Sequence, residues 1–197
     1  MTKPITGMAA MMLIDEGRLG LDQPIAELLP AYANMQVQRT YDGSLTDLVP
    51  AERPITVRQL LTHTAGLGYN IVQKGPISAA YTEQGLIPGQ VSRLPIPGLG
   101  RGKAVTGLDT FADRLAKLPL VLQPGTKWSY SVGLDLLGRV IEVASGMAFD
   151  EFLHTQIFEP AGMTSTFFTV PESDVARFTT NYGIMNNTPL PMDPARA

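Results

Sequence analysis

Cysteine is absent from the sequence. Disulfides, iron–sulfur clusters, thiolate zinc sites and a cysteine nucleophile are thereby excluded. Histidine is scarce as well. His63 and His154 are the two present, and neither has an acidic or histidine partner three or four residues further on, the spacing that sets two ligands on one helix face. No metal or other cofactor is expected. No long run of one charge sign occurs either: fifteen basic side chains stand against eighteen acidic ones, for a formal net charge of −3. That removes the electrostatic footprint of a nucleic-acid binder and leaves a small molecule as the expected partner.

Long apolar runs are missing too. The apolar stretch after Lys3 ends at Ile14, well short of the roughly 20 residues a membrane-spanning helix needs. Asp15, Glu16 and Arg18 follow where a signal peptide would carry a small-residue cleavage site. Neither a membrane span nor a targeting signal is expected, which leaves the compartment open between cytoplasm and periplasm. What the sequence does have is 197 residues at 44% hydrophobic and 17% charged. This is enough to bury an ordinary core and too apolar for a disordered chain.

Helical periodicity dominates the pattern. Pro4 suits a first turn, and Ile5, Met8, Ala9, Met12 and Leu13 then form a stripe ending before Gly17. Asp22 is expected to cap a second short helix carrying Ile25, Leu28 and Leu29, stopped by Pro30. Between Met35 and Leu48, Val37, Thr40 and Tyr41 flank an Asp42-Gly43 pair that predicts a small hairpin. Thr56 and Gln59 form a capping box ahead of Val57, Leu60 and Leu61, with Gly66 as the expected stop.

From Gly66 to Gly107 the chain carries nine glycines and four prolines, which predicts one long surface loop. Beyond it, Asp109 is expected to cap a helix through Phe111, Ala112, Leu115 and Leu118. Ser131 is expected to cap another through Leu136, Leu137, Val140, Ile141 and Ala144, ended by Gly146. A last helix after Asp150 uses Phe152, Leu153 and Ile157. Ser165 to Val170 is β-branched and aromatic and reads as a strand, whereas the Asn- and Pro-rich tail from Asn181 reads as weakly structured.

Three places carry candidate chemistry. The glycines from Pro97 to Ala104 look like a phosphate loop but fail its pattern, because Pro97 stands where the first glycine belongs and Ala104 where Ser or Thr should follow the lysine. His63 is expected at the end of the Thr56 helix, bonding the last carbonyls there. His154 reads as a surface helix residue.

The third place is the pairing of Lys3, at the mouth of the first helix, with the run Trp128-Ser129-Tyr130-Ser131-Val132-Gly133-Leu134-Asp135-Leu136-Leu137-Gly138. Together with Leu122-Gln123-Pro124-Gly125, the stretch Leu61 to Tyr69, and Pro160-Ala161-Gly162-Met163-Thr164, their order and spacing resemble the serine β-lactamase-like family of class C lactamases and penicillin-binding enzymes. Within it the pattern is most similar to the family VIII carboxylesterases.

The resemblance implies an α+β fold, predominantly helical over this stretch. It would comprise the first catalytic helix and the helical portion, with most of the antiparallel sheet absent. It further implies a single incomplete domain over 1–197: a catalytic helix and hairpin region over 1–56, a helical region with the long loop over 57–165, and the start of a return segment over 166–197. Met1, Thr2 and Lys3 match the last three positions of the family's Ser-x-x-Lys motif, so the nucleophilic serine is expected just before Met1. The chain as given then lacks its nucleophile and is expected to be inactive by itself. Tyr130-Ser131-Val132 matches the second motif, and the third is expected beyond Ala197.

The implied catalytic residues are therefore Lys3 and Tyr130, acting on a serine hydroxyl that is a poor nucleophile until a base takes its proton. Oxyanion stabilisation would come from the serine's own N–H and one from the third-motif strand. A lysine must lose its ordinary positive charge to act as that base, and a tyrosine must become a phenolate beside a cation, so either is admissible at this stage. Val132 in place of the lactamases' Asn removes an amide from the motif, which favours ester over β-lactam or D-Ala-D-Ala amide substrates. A non-catalytic binding protein is the remaining alternative. Trp128 and the glycine-rich loop are expected to shape the acyl pocket.

Overall fold

Helix α1 spans Thr2–Asp15 and buries Thr6, Ala9, Ala10 and Leu13. The buried face is narrow and made of small residues, so Met8, expected inside, is 44% exposed. Small residues let α1 lie close against a later helix. The computed structural model describes residues 2–87 and 105–193. After α1, Gly17 turns the chain at a φ of 70°.

The expected Asp22-capped helix is replaced by two short 3-10 turns, Ile25–Glu27 and Pro30–Tyr32. Asp22 does not cap. Its carboxylate takes two hydrogen bonds from the Arg58 guanidinium, at 2.6 and 2.8 Å, a charge-assisted fork stronger than a cap to a neutral amide.

Strands β1, Gln36–Gln38, and β2, Leu48–Pro50, pair antiparallel with Val37 opposite Val49. The hairpin stands where expected, but its connection is wide. Asp42 adopts a φ of 57°, and its carboxylate accepts the amides of Lys74 and Gly75 at 2.7 and 2.8 Å in place of closing a two-residue turn. Leu120 adds to the free side of β1, its amide donating to Gln36 and its carbonyl accepting from Gln38, both at 2.8 Å.

Both arms of the expected capping box open α2, Val57–Leu61. The helix closes at Thr62, earlier than the Gly66 stop, because His63 leaves the helical region at a φ of 56°. The long loop expected over 66–107 contains α3, Pro76–Glu83, which starts on Pro76, buries Ile77 and Tyr81, and ends ahead of Gly85 at a φ of 72°. The phosphate-loop-like stretch 97–104 lies outside the described residues.

Helix α4, Leu108–Leu115, has Gly107 at its cap, and Asp109 sits inside its first turn. Helix α5, Gly133–Ser145, buries Leu134, Leu136, Leu137, Val140 and Ile141 and is terminated by left-handed Gly146. Its first turn begins after Val132. Ser131 still serves it, since its hydroxyl accepts the Gly133 amide at 3.2 Å. Arg18, just past α1, donates to the carbonyls of Ala144 and Ser145 at 3.2 and 2.8 Å, satisfying orphan acceptors at the negative end of α5.

Helix α6, Phe149–Leu153, widens into a π-helical turn over His154–Phe158. Helix α5 is central, packing against α1, α2, α4 and α6.

Two expectations fail near the C-terminal end. Ser165 to Val170 forms no strand. Strand propensity is realised only where a neighbour takes the backbone hydrogen bonds, and here Phe168 instead sets its ring 5.9 Å from Phe149. The tail from Asn181 is not weakly structured. Strands β3, Asn181–Met185, and β4, Thr188–Asp193, pair antiparallel around Asn186 and Asn187, both at positive φ, as the two central residues of the favoured hairpin turn require. Among the described residues the architecture is thus α+β and mostly helical, with one helical core and two small two-stranded sheets.

Candidate active site

Lys3 occupies the first turn of α1, and Tyr130 lies in the extended segment that enters α5. The structure brings them together. Lys3 Nζ stands 5.0 Å from the centroid of the Tyr130 ring, close enough for the Tyr130 side chain to favour its charged form. Partial burial alone would pull the ammonium's pKa down. The Tyr130 side chain and the negative charge of Asp135 in the first turn of α5 outweigh it, so the Lys3 pKa lies above its ordinary value. Lys3 is therefore a cation at neutral pH.

Tyr130 is held by a set of backbone pins. The turn after α2 and the segment leading to α5 run side by side: Val121 donates to Gly66 at 2.8 Å, Gly125 to Thr64 at 2.7 Å, Ser129 to His63 at 2.9 Å and Val132 to Gly68 at 3.3 Å. Gly66 is required for this closeness. Its φ is 80°, and a Cβ there would stand 2.0 Å from the Leu122 carbonyl oxygen. The buried Tyr81 hydroxyl of α3 supports the far end by accepting the Gly68 amide at 3.0 Å, and burial raises its pKa.

His63 does not cap α2 with its side chain. Its ring turns away from the helix and lies 4.8 Å from the Tyr130 ring and 6.2 Å, edge to face, from Trp128. Its Nδ1 is 3.2 Å from both the amide nitrogen and the hydroxyl of Ser131. An amide N–H can only donate, so Nδ1 is the acceptor and carries no proton. Burial, and secondarily the Lys3 charge, lower the His63 pKa. Nothing in the spacing around His63 announces this role, because its partner Ser131 is 68 residues away.

Tyr69 completes the cluster, its ring 5.6 Å from Tyr130. Burial and the Asp135 charge raise its pKa against the opposing pull of Lys3. Asp135 is itself raised by burial, an effect Lys3 moderates. The cluster thus pairs one ammonium with one partly buried carboxylate and two phenols.

Val132 is fully buried. Its side chain belongs to the core and not to an accessible site, so it gives no support to the expected substrate preference. Trp128 is 63% exposed beside His63. His154 is exposed on the surface, as expected, with Nε2 3.2 Å from the Glu159 carboxylate. Among the described residues, no group of three or more acidic or histidine side chains is placed to hold a metal ion, and no helix is long and apolar enough to cross a membrane.

The chain is 38% identical over 182 residues to Protein Rv1367c of Mycobacterium tuberculosis, covering 92% of this chain and 41% of that protein. It is 35% identical over 178 residues to the lovastatin esterase of Penicillium rubens, covering 88% and 40% respectively. It therefore spans about two fifths of the length of these relatives. Among solved structures, EstCE1, described as a hydrolase with promiscuous acyltransferase activity, superposes with a TM-score of 0.72 at 29% identity, over 97% of this chain and 43% of that one. The family profile described as Beta-lactamase matches residues 1–197. The chain therefore belongs to the beta-lactamase family.

Proposed function

We propose that this protein is a serine hydrolase that cleaves carboxylic esters through an acyl-enzyme, with the nucleophilic serine immediately before Met1 and with Lys3 and Tyr130 as its activating pair. The contact between Lys3 and the Tyr130 ring carries this reading, since a solvated lysine at a helix start has no reason to meet a tyrosine from the opposite end of the core. A residue one position before Met1 would lie three before Lys3, the spacing that sets two side chains on one face of a helix.

Tyr130 Oη is the accepting atom in this reading, and the Lys3 ammonium at its ring stabilises the negative charge that the proton transfer develops. The serine oxygen bonds to the ester carbonyl carbon while its proton passes to Tyr130. As the tetrahedral intermediate collapses, the carbon–alkoxy bond breaks and Tyr130 returns the proton to the leaving alcohol. Water then repeats the sequence on the acyl-enzyme, releasing the acid and restoring the serine. The esterase name of the Penicillium rubens relative supports an ester as the substrate.

The test is covalent labelling of the complete protein with a fluorophosphonate, mapping of the labelled peptide, and turnover of short-chain p-nitrophenyl esters set beside a chromogenic β-lactam. Labelling at the serine before Met1 and ester turnover are expected. Tyr130→Phe should lower kcat by about 10²–10⁴-fold, the scale of a lost general base. A complete protein without serine at that position, or full turnover by Tyr130→Phe, overturns the reading.

A further inference from the structure

We propose that His63 is the positioning residue that sets the Tyr130 phenol against Lys3, acting through an unprotonated Nδ1 that grips Ser131. This rests on the reading of Tyr130 as the proton acceptor. Three independent contacts of His63 converge on the segment that presents Tyr130. The His63 carbonyl accepts the Ser129 amide at 2.9 Å, Nδ1 takes the Ser131 amide at 3.2 Å, and the imidazole lies 4.8 Å from the Tyr130 ring between those two anchors. Ser129 and Ser131 flank Tyr130, so its backbone is clamped on both sides by one residue.

The clamp is specific in chemistry as well as place. Nδ1 also receives the Ser131 hydroxyl at 3.2 Å, and that same oxygen accepts the Gly133 amide that opens α5 at 3.2 Å. With Nδ1 unprotonated, the Ser131 hydroxyl donates to the ring and accepts from the helix start. A proton on Nδ1 would abolish the bond from the Ser131 amide, reverse the one with the Ser131 hydroxyl and place a second cation near Lys3. His63 also adopts a φ of 56°, a region unfavourable for most side chains and tolerated by asparagine. The groups around the ring are Lys3 from α1 and Trp128, Tyr130 and Ser131 from the α5 approach, with Tyr69 behind Tyr130 and Asp135 acting through Lys3.

Asparagine and glutamine separate the possibilities. Asn Oδ1 falls near the place of Nδ1 and asparagine accepts a positive φ, whereas glutamine places its carbonyl farther out. In the complete protein, His63→Gln should lower kcat on a p-nitrophenyl ester by about 10–100-fold with KM little changed, the scale of a misplaced catalytic group. His63→Asn should restore most of that loss. His63→Asn should also remove an acid limb of kcat that wild type shows below the ordinary histidine range.

Two readouts are independent of turnover: ¹⁵N NMR of the His63 ring, expected to show an unprotonated Nδ1 at pH 7, and crystal structures of both variants, expected to show Tyr130 displaced from Lys3 in His63→Gln alone. A protonated Nδ1, or Tyr130 still against Lys3 in His63→Gln, overturns the proposal. If wild type turns over no ester while Tyr130 moves in His63→Gln, positioning stands and the esterase reading falls.

Discussion

Lys3 and His63 face each other across Tyr130 with opposite tendencies. The site holds Lys3 in its charged form, through the Tyr130 side chain and Asp135, and holds His63 neutral, through burial and the Lys3 charge. For His63 the folded pKa lies below the ordinary 6.5, so on acidification the unfolded chain takes a proton first. The stability His63 contributes is thus fully present above 6.5 and is lost as pH falls through its lowered folded value. Urea unfolding at pH 7.5 and 5.5 should show wild type losing more stability on acidification than His63→Asn. Equal losses would mean that the imidazole does not stay neutral in the fold.

The turn after α2 shows what one glycine does for an element. A methyl group at Gly66 would have to adopt a left-handed conformation costing about 1–3 kcal/mol. It would also collide with the Leu122 carbonyl at 2.0 Å, forcing apart the pins that hold the Tyr130 segment. Gly66→Ala should therefore lower the urea midpoint strongly and reduce ester turnover as well, both measurable on the same preparation.

Elements with local signals were legible in the sequence. The Thr56 capping box, the Gly146 stop and the apolar stripe of α5 each declare themselves within four residues, and the structure has all three. Elements whose signal was diluted or whose partner is distant were not. Helix α3 has its own Pro76 start and Gly85 stop, but they stand among the glycines of a long stretch. Asp22 looked like a cap because Arg58, 36 residues on, cannot be seen from it.

His154 finds its acid five residues along at Glu159, outside the α-helical spacing of three or four, because the helix widens to a π turn there. Of the cluster, the family's motifs pointed to Lys3 and Tyr130, which the structure places side by side. They did not point to His63 and Asp135, since their roles arise from helix packing and turn geometry.

At the scale of the whole molecule, α5 is the member that the other helices share. Leu137 is fully buried on it, and truncation to alanine should cost about 2–5 kcal/mol, read as a lower urea midpoint with an unchanged slope. A change under 1 kcal/mol would show that the helices repack around the gap.

The contact between Lys3 and Tyr130 also has a meaning in time. The lysine emerges from the ribosome well before the tyrosine, which follows only after the intervening helices. At typical elongation speeds that interval is on the order of ten seconds. Throughout it, a nascent chain has Lys3, and later Tyr69, but not the Tyr130 ring against which both lie. The pairing of Lys3 with Tyr130 therefore waits on the arrival of the segment that enters α5.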